Sequence, residues 1–246
     1  PVVAGYSQDV EVDSERGRIR ITELTRGLEN PWSLALLPDG DMLVSERPGR
    51  LLKLDAKGNL LAQIEGLPTI FVDGQAGLLD VVPAPDFASS KLVYLSFAKP
   101  NLRGNLAGTA VFRARLEGNA LVDGKVIYEQ EPKLSSGTHV GSRLVFDGRG
   151  HLFVTQGENN KRPTAQDLDK LQGTLVRLNL DGSIPADNPF VGREGVRAGL
   201  IGKAEGTRHK AEGTRQKAEG WTRVLPWAVA ATLAMFIALQ GFAFVL

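Results

Sequence analysis

Two residues able to pass a proton between them stand at the ends of one stretch of this chain. His139 lies in Gly137-Thr138-His139-Val140-Gly141, and Glu158 closes Thr155-Gln156-Gly157-Glu158. Between them run Leu144-Val145-Phe146, a turn at Asp147-Gly148, and His151-Leu152-Phe153-Val154. Apolar runs joined by a glycine-containing turn read as a β-hairpin. In an antiparallel pair, the position before the first strand and the position after the second are neighbours. An imidazole beside a carboxylate is a general base with its orienting partner. The plainer reading is a loop histidine and a solvated acid, and residue types alone leave both open. His151 reads as a strand-start residue, and His209 belongs to a repeat described below.

The elements that must position this pair recur along the chain. Arg18-Ile19-Arg20-Ile21-Thr22-Glu23-Leu24 alternates polar and apolar, the period of a half-buried strand. Four short runs follow: Ser33 to Leu37, Met42 to Glu46, Arg50 to Leu54 and Leu60 to Ile64, separated by Asp39-Gly40 and Lys57-Gly58. A second set comprises Leu78 to Val82, Leu92 to Phe97, Thr109 to Leu116 and Lys125 to Glu129. A third contains the hairpin and Thr174 to Leu180. The corresponding turn acids Asp39, Asp86 and Asp147 are 47 and 61 residues apart, the wider gap holding a loop around Asn101 to Asn105. Four-stranded units at that interval predict an all-β fold of propeller blades. A β-sandwich is the generic alternative.

Composition bounds the rest. The 246 residues, 42% of them hydrophobic, can build a substantial core, and a net charge of +1 with no basic stretch before residue 200 argues against a nucleic-acid surface. There is no cysteine, which excludes disulfides and thiolate metal sites. After Pro189-Phe190 the character changes. Lys203-Ala204-Glu205-Gly206-Thr207-Arg208-His209 is followed by Lys210-Ala211-Glu212-Gly213-Thr214-Arg215-Gln216 and Lys217-Ala218-Glu219-Gly220. With a glycine in every unit and no apolar seam, the repeat reads as a polar linker rather than a coiled coil. Val224 to Leu246 carries no charge and is long enough to cross a bilayer core of roughly 30 Å as a helix. Trp221 and Trp227 stand at its start, where interfacial aromatics are favoured, so it reads as a C-terminal transmembrane anchor rather than a buried helix.

Several motifs, taken in order, resemble one family. Asn30-Pro31-Trp32-Ser33-Leu34 with Leu37-Pro38-Asp39-Gly40, then Gly74-Gln75-Ala76-Gly77-Leu78-Leu79-Asp80, Ala84-Pro85-Asp86-Phe87, and His139 to Phe146 are similar to the soluble quinoprotein sugar dehydrogenases of the glucose/sorbosone dehydrogenase group. The resemblance spans residues 18–197. It implies a six-bladed propeller, of which this chain would hold about three blades, binding pyrroloquinoline quinone and Ca²⁺ on one face. It implies that His139 is the base taking the proton from an aldose C1 hydroxyl as hydride passes to the quinone. It likewise implies that Glu158 orients His139, in a place where aspartate is common, and that Gln75 hydrogen-bonds near cofactor and substrate. Without the resemblance, Gln75 reads equally well as a loop amide satisfying backbone groups. Ala76 stands where glycine is frequent and Thr174 where lysine is frequent. The residues that grip the quinone and Ca²⁺ would belong to later blades, and no metal ligand is assigned here.

The expected organisation is a half-propeller at residues 1–198, the repeat linker at 199–223 and the membrane helix at 224–246. The expected function is quinone-dependent oxidation of aldoses to lactones by a membrane-anchored protein whose propeller domain is periplasmic. The eight Lys/Arg from Arg193 to Arg223 would by themselves favour a cytoplasmic flank. The alternative function is a truncated, non-catalytic half-propeller tethered to the membrane. A homodimer could close the ring, which otherwise depends on a closing strand such as Arg18 to Leu24.

Overall fold

The computed structural model describes residues 10–203; the linker repeat beyond Lys203 and the segment 224–246 lie outside them. Among the described residues the fold is all-β, with four small sheets compatible with part of a propeller. The first large sheet runs β3 (Pro31–Leu36), β4 (Met42–Glu46), β5 (Arg50–Leu54), β6 (Leu60–Gln63). The second runs β7 (Leu78–Pro83), β8 (Leu92–Pro100), β9 (Ala107–Glu117), β10 (Ala120–Glu129). The third runs β11 (Leu144–Phe146), β12 (His151–Thr155), β13 (Thr174–Asn179), β14 (Leu200–Lys203). Each is an antiparallel meander in which successive strands are hydrogen-bonded neighbours. This is the arrangement that short turns favour.

The second sheet is covered on both faces, which is why β8 is buried continuously from Val93 to Ala98, Ser96 included. Val93, Leu95 and Phe97 point with Ala110 and Phe112 of β9 into a core shared with Ala35, Leu43 and Leu51 of the first sheet and with Ile64 just past β6. On the other face, Tyr94 and Val111 join Leu144, Leu152, Val154, Val176 and Leu178 of the third sheet. Tyr94 also meets Phe146 edge-on at 5.1 Å and donates its hydroxyl to the Leu180 carbonyl at 2.9 Å. The outward face of the first sheet carries Met42, Val44, Leu52 and Leu54, buried with Leu28 packed against them, while Leu34 and Leu36 stay exposed. Leu28 belongs to the segment that enters β3. Upstream in that segment, the Leu24 carbonyl passes so close to Gly58 that an added Cβ would meet its oxygen at 2.0 Å.

The stretch Arg18 to Leu24 holds β2 (Gly17–Ile21), which pairs with β1 (Val10–Ser14) in a two-stranded ribbon. The reason is local. The two strands are separated by Glu15 and Arg16 alone, so closing this hairpin costs little chain entropy, and Arg18 pairs with Glu11 and Asp13 across it. Further on, the third sheet gains a fourth strand, β14, past residue 198. Its pairing with β13 is irregular between Leu175 and Val176, and Leu200 is the residue it buries fully, so it has no alternating pattern to announce it.

Candidate active site

Three loops meet at one end of the sheets. The first, Asp73 to Gly77, leads into β7; the second, Gly137 to Arg143, leads into β11; the third, Gln156 to Asn160, follows β12. The Gly137 carbonyl accepts the N–H groups of Gln75 at 2.8 Å and Ala76 at 3.0 Å, locking the first loop to the second. The third loop locks to the second through Gly157 N–H to the Val140 carbonyl at 3.1 Å and Asn159 N–H to the His139 carbonyl at 3.1 Å. The approach is close enough to require glycine, because a Cβ at Gly157 would lie 1.7 Å from the His139 oxygen.

His139 sits where these loops cross, with φ of 48°, a left-handed conformation that non-glycine residues seldom adopt. Such backbone outliers persist only where their surroundings overdetermine them. Here the main-chain N–H donates to Gln75 Oε1 at 2.7 Å, the carbonyl accepts from Asn159, and the ring Nδ1 meets Glu158 Oε1 at 2.5 Å. The imidazole remains 44% exposed, and the Glu158 carboxylate is more sheltered. Burial pushes the Glu158 carboxyl up, but the hydrogen bond to His139, a backbone N–H and the charges of His139 and Arg162 outweigh it and hold the group below its ordinary range. An ionised carboxylate can only accept, so Nδ1 carries the proton and, in the neutral ring, Nε2 keeps its lone pair.

The structure brings His139, Glu158 and Gln75 together. It gives Gln75 a specific contact, since its Oε1 holds the main chain of His139. His151 instead bonds Asp147 Oδ2 at 2.7 Å and faces Arg177 on the third sheet, a structural position as its place at a strand start suggests. Asp80 went unassigned in the sequence. Its carboxylate is buried and accepts from Ser33 Oγ at 2.6 Å, Arg143 Nη1 at 3.0 Å and Leu144 N–H at 2.8 Å, tying all three sheets together below the loops. An acid inside the apolar run Leu78 to Val82 was the available signal. A cavity of about 720 Å³ opens beside the second sheet, between Phe97, Lys99, Glu129 and Lys133, but contains none of the three site residues. Its charges are paired among themselves, Lys133 reaching Glu129 at 2.7 Å and Glu131 at 2.9 Å. Among the described residues, no group of three or more His, Asp or Glu is placed to hold a metal ion.

Known proteins resemble this chain. Residues 28–213 match the family described as Glucose / Sorbosone dehydrogenase. Aldose sugar dehydrogenase YliI of Escherichia coli K12 is 50% identical over 183 residues, covering 73% of this chain and 49% of the relative. The crystal structure of the soluble aldose sugar dehydrogenase from Escherichia coli, in its apo form, superposes with a TM-score of 0.67 at 51% identity, over 70% of this chain and 50% of that one. The PQQ-bound aldose sugar dehydrogenase of Streptomyces coelicolor gives 0.64 at 26% identity, over 80% and 55%. The chain thus spans about half the length of these relatives. With the matched segment covering all three large sheets and the loops that carry His139, Glu158 and Gln75, the chain belongs to the Glucose / Sorbosone dehydrogenase family.

Proposed function

We propose that this chain carries the proton-abstracting side of an aldose dehydrogenase that oxidises the C1 hydroxyl of a sugar to the lactone. The observation that carries the reading is the 2.5 Å contact between His139 Nδ1 and Glu158 Oε1 beneath a half-exposed ring. Oxidation of a C1 hydroxyl removes a proton from oxygen and a hydride from carbon. His139 Nε2 takes the proton. Glu158 holds the ring in the productive tautomer and stabilises the imidazolium that results. Gln75 fixes the backbone of the base and offers its amide N–H group to ligands above it.

Pyrroloquinoline quinone, bound in the Streptomyces relative, would supply the two-electron acceptor. It is a tricarboxylate and needs cations around it. The described residues supply Arg162, whose charge reaches Glu158, and no metal cluster. They do not on their own fit the quinone or the Ca²⁺ that the family resemblance implies, so this chain accounts for the base and not for the grip on the cofactor. Three four-stranded sheets over half the relatives' length support the reading of three blades from a six-bladed ring, which a second copy of the chain could complete. The uncharged run 224–246 supports attachment to a membrane, and the resemblance to exported sugar dehydrogenases favours the sheets on the periplasmic side.

Dye-linked oxidation of aldoses by the purified full-length chain, with quinone and Ca²⁺ added, tests the reading. Turnover that disappears in His139→Gln supports it. Turnover that survives in His139→Gln refutes it.

A further inference from the structure

The base and its partner lie on different loops, and what fixes their separation lies behind them. Glu158 is flanked by Gly157 and Asn159, whose N–H groups bond the Val140 and His139 carbonyls. Asn159 has φ of 53°, a left-handed conformation that asparagine tolerates better than most residues. Its side chain is 1% exposed, and its Oδ1 accepts from Gln130 Nε2 at 3.0 Å. Gln130 is itself 1% exposed and held at both ends: its Oε1 accepts the Thr109 N–H at 3.0 Å, and its own N–H donates to the Thr109 carbonyl at 2.8 Å. Because the Thr109 N–H can only donate, the Gln130 amide has one orientation, with Nε2 as the donor toward Asn159. The Thr109 hydroxyl then donates to the Val140 carbonyl at 3.1 Å, returning to the loop of the base.

We infer that Gln130 and Asn159 are positioning residues for the proposed reaction, forming a buried amide clamp that sets the distance between His139 Nδ1 and Glu158 Oε1 from strand β9. This rests on the proposed role of His139 as base. Neither clamp residue touches substrate, since both are buried. Their effect passes through the tautomer of the ring: with Glu158 held against Nδ1, the proton stays there and Nε2 stays free. With Glu158 released, the proton distributes between both nitrogens and the fraction of competent base falls. A misplacement of about 1 Å in such a constellation costs on the order of 100-fold in rate.

Three substitutions in the full-length chain separate this from a merely structural role. Gln130→Met keeps the volume and removes the donor. Asn159→Gly deletes the acceptor while suiting the left-handed backbone, so it tests the clamp even where Gln130→Met fails to fold. Asn159→Asp keeps an acceptor in place. The readouts are the ¹⁵N shifts of His139, which report the tautomer without any turnover, and kcat against KM in the dye-linked assay. The expected result is that Gln130→Met and Asn159→Gly move both ring nitrogens toward the averaged shifts of free imidazole and lower kcat roughly 10- to 100-fold at nearly constant KM. Asn159→Asp should restore both. Folded Asn159→Gly protein with the wild-type His139 shifts overturns the clamp. If the wild type shows no turnover but the shifts respond as described, the proposed function fails and the clamp stands.

Discussion

Arg143 reaches across the boundary between two sheets to Asp80, Nη1 to Oδ1 at 3.0 Å, while the same carboxylate takes the Ser33 hydroxyl of a third. One side chain on β7 thus organises the starts of β3 and β11. Asp80 is 3% exposed and Arg143 is partly sheltered. Removing the acid would leave a half-buried guanidinium, the Leu144 N–H and the Ser33 hydroxyl without their acceptor. Breaking a buried pair from one side costs about 3–5 kcal/mol, a large share of a domain's stability. Asp80→Ala is therefore expected to lower the unfolding free energy read from a urea titration by that order. Asp80→Asn, which keeps an acceptor, should lose less.

What could be read beforehand follows from distance along the chain. The hairpin from Leu144 to Thr155 announces itself through apolar runs and an Asp-Gly turn, and its register, Leu144 opposite Val154, carries His139 and Glu158 to the same end. The contact between those two was legible for that reason. Gln75 was legible as a polar loop residue, but its bond to the His139 N–H spans 64 residues and depends on how two sheets pack. Gln130 and Asn159 carry no local signal, because neither is odd in its own segment until β9 and the third loop are brought together. The same holds for β14, whose identity as a strand comes from the partner β13 and not from its own four residues.

The pairing of His139 with Glu158 makes two predictions with opposite emphasis. If turnover is detected, His139→Gln should reduce it about 10²- to 10⁴-fold, the usual worth of a general base. Glu158→Gln leaves the base and removes its orienting charge, so kcat should fall less while the protein remains folded. Equal losses in the two variants would show that Glu158 does more than orient.

Glu158 also confers a pH dependence on stability. Its carboxyl titrates in the folded protein below the ordinary value of 4.5, burial opposing and the contact with His139 favouring the shift. A group with a depressed folded value binds its proton more readily when unfolded. Its contribution is complete above pH 4.5 and is lost as the pH falls through the folded value. Thermal melts of wild type and Glu158→Gln should therefore differ most above pH 4.5 and converge in stronger acid. A gap that widens on acidification would contradict the assignment.

Val224 to Leu246 carries no charged side chain, while each unit of the preceding repeat carries Lys and Glu. Deleting those residues is expected to move the protein from the detergent-extracted membrane fraction to the soluble one. Full-length protein that fractionates as soluble and monodisperse without detergent would refute membrane attachment.

The close approach at Gly157 offers the sharpest separation of activity from stability. Its backbone conformation is ordinary, and what excludes a side chain is space: a Cβ would lie 1.7 Å from the His139 oxygen and 2.4 Å from its carbonyl carbon. Neither atom can yield alone, because that carbonyl is bonded to Asn159 and the same residue holds Glu158 through its ring. Gly157→Ala must therefore push the two loops apart, with an overpacking cost of about 1–3 kcal/mol and a loss of the Nδ1–Oε1 contact. Gly148, in the turn at the far end of the same hairpin, is the matched control. It has φ of 68° and nothing within 4 Å of an added Cβ, so Gly148→Ala incurs left-handed strain of about 1–2 kcal/mol without touching the site. Denaturant titrations of the two variants should show similar losses of stability. Turnover, or the His139 tautomer where turnover is absent, should change in Gly157→Ala and stay at wild-type values in Gly148→Ala. Parallel changes in both variants would mean that the hairpin responds as a unit and that the loop crossing has no separate role in placing the base.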